Sequence, residues 1–304
     1  MPGPILEFAA AVGAVNSLRR RARQRLERLL SDPMARVGLT LVLLLHVVAV
    51  AAPLLATSDP NAFDDPVLQR AQAPSNEHWM GTDFLGRDLY SRVVYGAQIS
   101  LWIANLTVVI NLAIGLSIGA IAGFAGGFLD AALMRITDLM LAFPRVFLLL
   151  ALLALFTPSV ALIVLVLGCT GWMGIARVVR AEVLRAKQFD YVRAAQALGY
   201  SRRRIVARHV LPTALSPVIA LAALRVGNTI LTESFLSFLG FGVSEPQVSW
   251  GLIIRGGRTA LLDAWWIATF PGLAIVLCVV GYNLLGDALR DLYDPRLTGE
   301  REVG

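Results

Sequence analysis

An all-α, polytopic membrane protein with six transmembrane helices is the fold class this sequence predicts, and three observations carry the prediction. The first is composition. Of 304 residues, 57% are apolar and only 16% are charged, and the mean hydropathy is +0.67. Soluble domains carry about 25% charged residues, so too little polar surface is present to coat a globule of this length. The second is a set of uncharged runs long enough, as helices, to cross a hydrocarbon core of about 30 Å. The third is the uneven placement of 26 arginines between those runs. The same composition excludes a disordered chain, a collagen and a nucleic-acid-binding tail protein.

The elements follow in order. Residues 1–36 form a basic N-terminal segment, whose stretch from Leu18 to Leu30 reads as an amphipathic helix lying on anionic membrane lipid, or as a topology signal alone. Residues 37–58 are a first transmembrane helix, 22 uncharged residues between Arg36 and Asp59. That run exceeds the roughly 7–15 residues of a signal-peptide core, so a retained helix is expected. Residues 59–96 form a loop on the far side, and 97–287 a core of five helices. The second helix runs from near Ala97 to near Phe124. The third starts near Ala131, carries Arg135, Asp138 and Arg145 in its opening turns, and turns back at Thr157, Pro158 and Ser159. The fourth ends by Ala176, and the spans Pro212 to Leu239 and Trp265 to Leu285 complete the six. Arg135 and Asp138, three apart on one face, are placed to pair. Asn105, Asn111, Arg225 and Glu233 are expected to face the bundle interior or water, because lipid exposure is costly. Residues 288–304 are a tail.

Orientation follows from arginine placement. Residues 1–36 carry seven arginines and three acids, 177–208 nine basic residues and two acids, and 59–92 three arginines and six acids. Six spans place the first two segments together, so both termini are expected to be cytoplasmic.

Rare residues narrow the chemistry. The single lysine, Lys187, is followed by Gln188, so no Gly-Lys-Ser/Thr phosphate loop exists. Two cysteines and three isolated histidines offer no metal-ligand spacing. No nucleophile or paired-carboxylate motif points to an enzyme. An ion-coupled secondary transporter would need intramembrane acids in a coupled set and usually an inverted repeat; neither stands out.

The stretch between the fourth and fifth helices, 177–211, is too long for a bundle connection of about 2–8 residues. Tyr191, Ala194, Ala195 and Leu198 share one helical face. Gly199 is placed as a helix stop, Ser201 as an N-cap, and Pro212 as the opening of the next helix. These residues read as a two-helix docking knob, with small Ala194 and Ala195 allowing close approach.

This segment resembles the EAA loop of ABC importer permeases. Ala194, Ala195, Gly199, Leu211 and Pro212 match its pattern, while Arg193 replaces the motif Glu and His209 its Ile. The ending Arg208-His-Val-Leu-Pro212 is that of the peptide branch. His78-Trp-Met-Gly-Thr-Asp-Phe-Leu-Gly-Arg-Asp-Leu-Tyr-Ser-Arg-Val-Val-Tyr-Gly96 and Leu236-Ser-Phe-Leu-Gly-Phe-Gly-Val243 with Trp250-Gly251 look like external segments of DppC/OppC-type permeases. Trp265 to Gly272 and Asn283 to Pro295 look like their last helix and tail. The resemblance implies the ABC type I importer permease fold, and a non-catalytic subunit of the plasma (inner) membrane. It implies a paralogous permease partner, two ATPase subunits that bind ATP and Mg, and an external solute-binding protein, with no cofactor on this chain. The substrates it implies are peptides, or alternatively nickel complexes or glutathione. It assigns Tyr191, Arg193, Ala194, Ala195, Leu198, Gly199, Ser201, Arg202, Arg203, Arg208, His209, Leu211 and Pro212 to ATPase coupling. Gly81, Thr82, Asp83, Gly86, Arg87, Asp88, Gly240, Gly242, Trp250 and Gly251 go to binding-protein contact or to capping the path, and the glycines equally suit turn formation.

Overall fold

A computed structural model describes residues 27, 29–62, 69–259 and 261–293. Most of the basic stretch Leu18 to Leu30, and the tail from 294 onward, lie outside the described residues. The described chain is all-α, with one isolated antiparallel bridge between Thr82 and Asp88. Five stretches are long and apolar enough to cross a membrane, and a bent pair of helices raises the number to six.

Helix α1 (Pro33–Val50) starts before the expected Val37, because Asp32 caps it through a 2.9 Å bond from the Met34 amide and Pro33 fits its first turn. It stops at Ala51 rather than Ser58. Pro53 supplies no amide hydrogen to continue the ladder, and only the short α2 (Ala52–Leu55) follows.

Helix α3 (Leu89–Ala125) has 37 residues, about 55 Å at the α-helical rise. It begins at Leu89, not near Ala97. Asp88 caps it, accepting from the Ser91 amide at 2.8 Å, and Arg92 lies in its first turn. An uncharged-run criterion stops at Arg92; the structure buries that arginine by pairing it.

The third span is α4 (Gly127–Ala142) and α5 (Arg145–Ala154), bent by 82° at Phe143 and Pro144. One helix from near Ala131 to the turn at Pro158 was expected. Pro144 forces its predecessor out of helical geometry, and Phe143 is extended (φ −80°, ψ 132°). The turn at Thr157–Ser159 is present, and Ser159 caps α6 (Val160–Cys169) with a 3.1 Å bond from Leu162. After a break at Thr170–Trp172, α7 (Met173–Ala186) carries the fourth span well past Ala176. Arg177 and Arg180 are helical because α4 neutralises them, and Arg185 pairs with Glu182 within α7. Arg180 grips Asp130 through two bonds of 2.6 and 2.7 Å, and Arg177 meets Asp138 at 2.5 Å. Asp138 therefore pairs across to α7, not with Arg135.

Then come α8 (Asp190–Ala197), α9 (Arg202–Ile205), a π turn (Val206–Val210) and α10 (Leu211–Leu239). The short helix runs on through the wide turn into the membrane helix. Pro212 cannot donate to the Arg208 carbonyl and its ring crowds it, and the i→i−5 bond from Leu211 to Val206 widens the helix just before that point. Helix α11 (Trp250–Gly257) was not expected from its few residues, and α12 (Trp266–Tyr293) runs on beyond Leu285.

Helices α3 and α7 pack through glycine. Gly115, Gly119 and Gly123, one turn apart on α3, meet Ile175, Val179 and Val183 so closely that an added Cβ would sit 2.7–2.9 Å from their Cβ atoms. Glu233 (0% exposed) and Asn111 (2%) are inside the bundle. Asn105 bonds to His46 and Tyr282.

Candidate functional site

The residues expected to carry function lie at the two ends of α3. At its C-terminal end lies α8. Val192 and Ala195 are buried in one apolar cluster with Ile175, Val179, Val183 and Ala186 of α7, Ile205, and Val210, Ala214 and Val218 at the base of α10. Ala195 thus faces its own chain. The face left open is Tyr191, Ala194 and Leu198, joined by Arg193. Tyr191 stacks on Phe189 at 5.6 Å and bonds Thr213 at 3.1 Å, which orients its ring without covering it. Leu198 is 72% exposed.

The end of α8 is a Schellman motif. Gly199 has φ +74°, its amide donates to the Gln196 carbonyl at 3.0 Å, and the Tyr200 amide donates to Ala195 at 3.2 Å. Ser201 then opens α9, accepting from the Arg204 amide at 3.4 Å. Arg208 and Pro212 are exposed and Leu211 is half-buried. The side chains of Arg202, Arg203 and His209 lie outside the described set.

Lys187 is the residue that motif reading passed over. Its Nζ donates to the Gly123 and Phe124 carbonyls at 3.3 and 3.1 Å, among the four carbonyls that the end of α3 leaves without helical donors. It ties the start of the α8 segment to the long helix. A lone lysine two residues before an aromatic helix start was the available signal.

The other end of α3 is a tight ionic knot. Asp83 accepts from the Leu85 and Arg87 amides and, at 2.7 Å, from Arg87 Nε. Arg87 and Arg92 both donate to Glu245 Oε1, at 2.9 and 3.1 Å. Asp88 also meets His78 at 3.0 Å and Thr57 at 3.1 Å. Gly81 and Gly86 hold φ of +78° and +75°, and Trp266 Nε1 donates to the Thr82 carbonyl. Trp250 Nε1 donates to Val93 at 3.0 Å. An added Cβ on Gly251 would lie 2.6 Å from Ser234 backbone, and one on Gly242 would strike Ser237. Of the residues expected at this end, all but the half-buried Gly240 are buried. They build the scaffold, and the accessible surface is left to neighbours such as Trp79, Leu85, Pro246 and Gln247. A cleft of about 340 Å³ opens between the knot and α11, lined by Arg87, Arg92, Arg255 and Arg258 against Asp83 and Glu245.

Comparison with known proteins gives this arrangement a family. Residues 115–299 match the model of the binding-protein-dependent transport system inner membrane component, and 17–74 that of the N-terminal TM domain of oligopeptide transport permease C. A transport system permease of Brucella abortus is 42% identical over 273 residues, covering 90% of this chain and 91% of its own. The dipeptide transport system permease protein DppC of Bacillus subtilis is 38% identical, covering 89% and 84%. The glutathione transport system permease protein GsiD of Pectobacterium atrosepticum is 37% identical, covering 92% and 93%. With matches of this extent the chain belongs to the binding-protein-dependent inner membrane permeases of the OppC/DppC type, non-catalytic membrane subunits of ABC importers.

Proposed function

We propose that this chain forms one half of the membrane path of an ATP-driven importer of di- and oligopeptides. A paralogous permease supplies the other half. Of two ATPase subunits, which carry ATP and Mg, one docks on α8, and an external solute-binding protein meets the opposite end of α3. Both termini then lie in the cytoplasm, in keeping with the arginines of 1–36 and 177–208.

One observation carries the reading: α8 offers Tyr191, Ala194 and Leu198 outward while Val192 and Ala195 share a core with α7 and α10. A push on the open face is therefore received by two membrane helices as a rigid body, the kind of coupling that alternating access needs. The knot around Asp83, Arg87, Arg92 and Glu245 fastens the other end in the same way. Peptide as cargo is supported by the dipeptide and oligopeptide names of its relatives, and the carboxyl-bearing glutathione shares much of that chemistry.

The test is reconstitution of the chain with its permease partner, ATPases and binding protein in vesicles. A loaded binding protein should stimulate ATP hydrolysis and drive uptake of a mixed di- to pentapeptide pool. Leu198→Glu should lose the ATPase subunits on purification and at least tenfold of the uptake. Retention of both by that variant would refute α8 as the docking element.

A further inference from the structure

Two arginines stand deep in the bundle without acids. Arg225 has fourteen residues of α10 on either side (211–224 and 226–239), about 21 Å from each end. Arg145 opens α5, at the 82° bend of the third span. Both are half-buried. The Arg145 Nε is enclosed with no hydrogen-bond partner. Among the described residues no carboxylate lies within ion-pair reach of either side chain. The Arg225 charge is felt at Arg145.

The surroundings set Arg225 against the break in the fourth span and Arg145 at the bend of the third. Arg225 Nη2 rests over Gly174, 2.5 Å from where a Cβ would stand, so it points across to α7 rather than out to lipid. Gly174 is the second residue of α7, one past the residue that follows the break at Thr170–Trp172. Met140, just ahead of the α4–α5 bend, packs on Trp172, Met173 and Ala176. Two interrupted helices and the centre of a third thus meet at one level. The Arg145 and Val146 amides that open α5 have no helical acceptor, and interrupted helix starts at mid-membrane favour anions. An uncompensated cation at this depth is expensive and marks a path or a binding group. Two repelling cations are costlier still.

We propose that Arg145 and Arg225 form a cationic way-station midway along the path, which takes the carboxylate of the passing solute. The proposal rests on the peptide reading above: every peptide with a free C-terminus carries that group, as does glutathione. The arginines compensate the carboxylate where lipid and apolar side chains cannot, and release follows because no third partner holds it there.

The same four-component vesicles test it, with R145Q, R225Q, the double variant, and R145K and R225K. Each neutral variant should still co-purify with the partner permease and ATPases, yet import the peptide pool at least tenfold more slowly. The lysine variants, which keep the charge, should recover to within a few-fold of the parent. Uptake by R145Q and R225Q within twofold of the parent would overturn the way-station while leaving the peptide reading intact. So would loss of the partner permease from the neutral variants alone, since the arginines would then serve a carboxylate of that subunit. If the parent assembly imports no peptide at all, the peptide reading itself fails and this inference falls with it.

Discussion

Glu245 holds two arginines with one oxygen, and Arg92, only 1% exposed, depends on it. Removing one member of a buried pair costs about 3–5 kcal/mol. The Glu245 side chain is 46% exposed, and water screens what remains, so Glu245→Ala should cost about 1–2 kcal/mol. A lowered thermal midpoint of the purified chain in detergent checks this, with Glu245→Gln falling between. Packing gives a sharper contrast. Gly119→Leu drives a side chain into Val179 and the Ala176 carbonyl and should destabilise by about 1–3 kcal/mol through overpacking. Gly272→Ala, in α12 with nothing within 4 Å of the new Cβ, should be neutral or stabilise by up to about 1 kcal/mol. Equal melting of the two variants would remove the glycine seam as the reason α3 and α7 approach so closely.

At the scale of the element, α8 is defined by what ends it. With φ +74° at Gly199, Gly199→Ala should cost about 1–2 kcal/mol locally and unwind the last turn that carries Leu198. Peptide uptake should fall several-fold, while overall melting shifts little because the added Cβ would meet nothing within 4 Å. Much of this element was legible in the sequence: the exposed stripe, the glycine stop, the serine cap and the proline are local rules. Ala195 was assigned to the open face because periodicity gives a face without saying which way it turns; Val192 beside it, buried with it, settles the direction. Span limits were misjudged where charges are paired. Arg92, Arg177 and Arg180 each sit inside a helix because an acid distant in sequence, or a carbonyl, receives them. The 82° bend at Phe143 and Pro144 had a signal in the proline, overridden by the apolar run around it. Helix α11 stayed hidden because eight residues are too few for periodicity to speak.

Across the whole molecule, the long α3 joins two unlike ends. One is fastened by ions around Asp83 and Glu245, the other by apolar side chains and Lys187. Lys187→Met should leave the α3 carbonyls of Gly123 and Phe124 to water. It should loosen the start of α8, read as faster protease cleavage between 187 and 200, with the Asp83 end unaffected. Cleavage at the parent rate would show that the apolar cluster alone holds the segment. The π turn at Val206–Val210 has a consequence of phase. Every residue added to or taken from a helix rotates what lies upstream by about 100°. The extra residue in that wide turn therefore sets the compass bearing of Ile205 and everything before it relative to α10. Tightening that turn into ordinary helix with every residue kept would swing Ile205 out of its apolar seat and re-aim the open face of α8, as a key is spoiled by one miscut notch, whereas excising Ala207 as well would leave Ile205 near its present bearing.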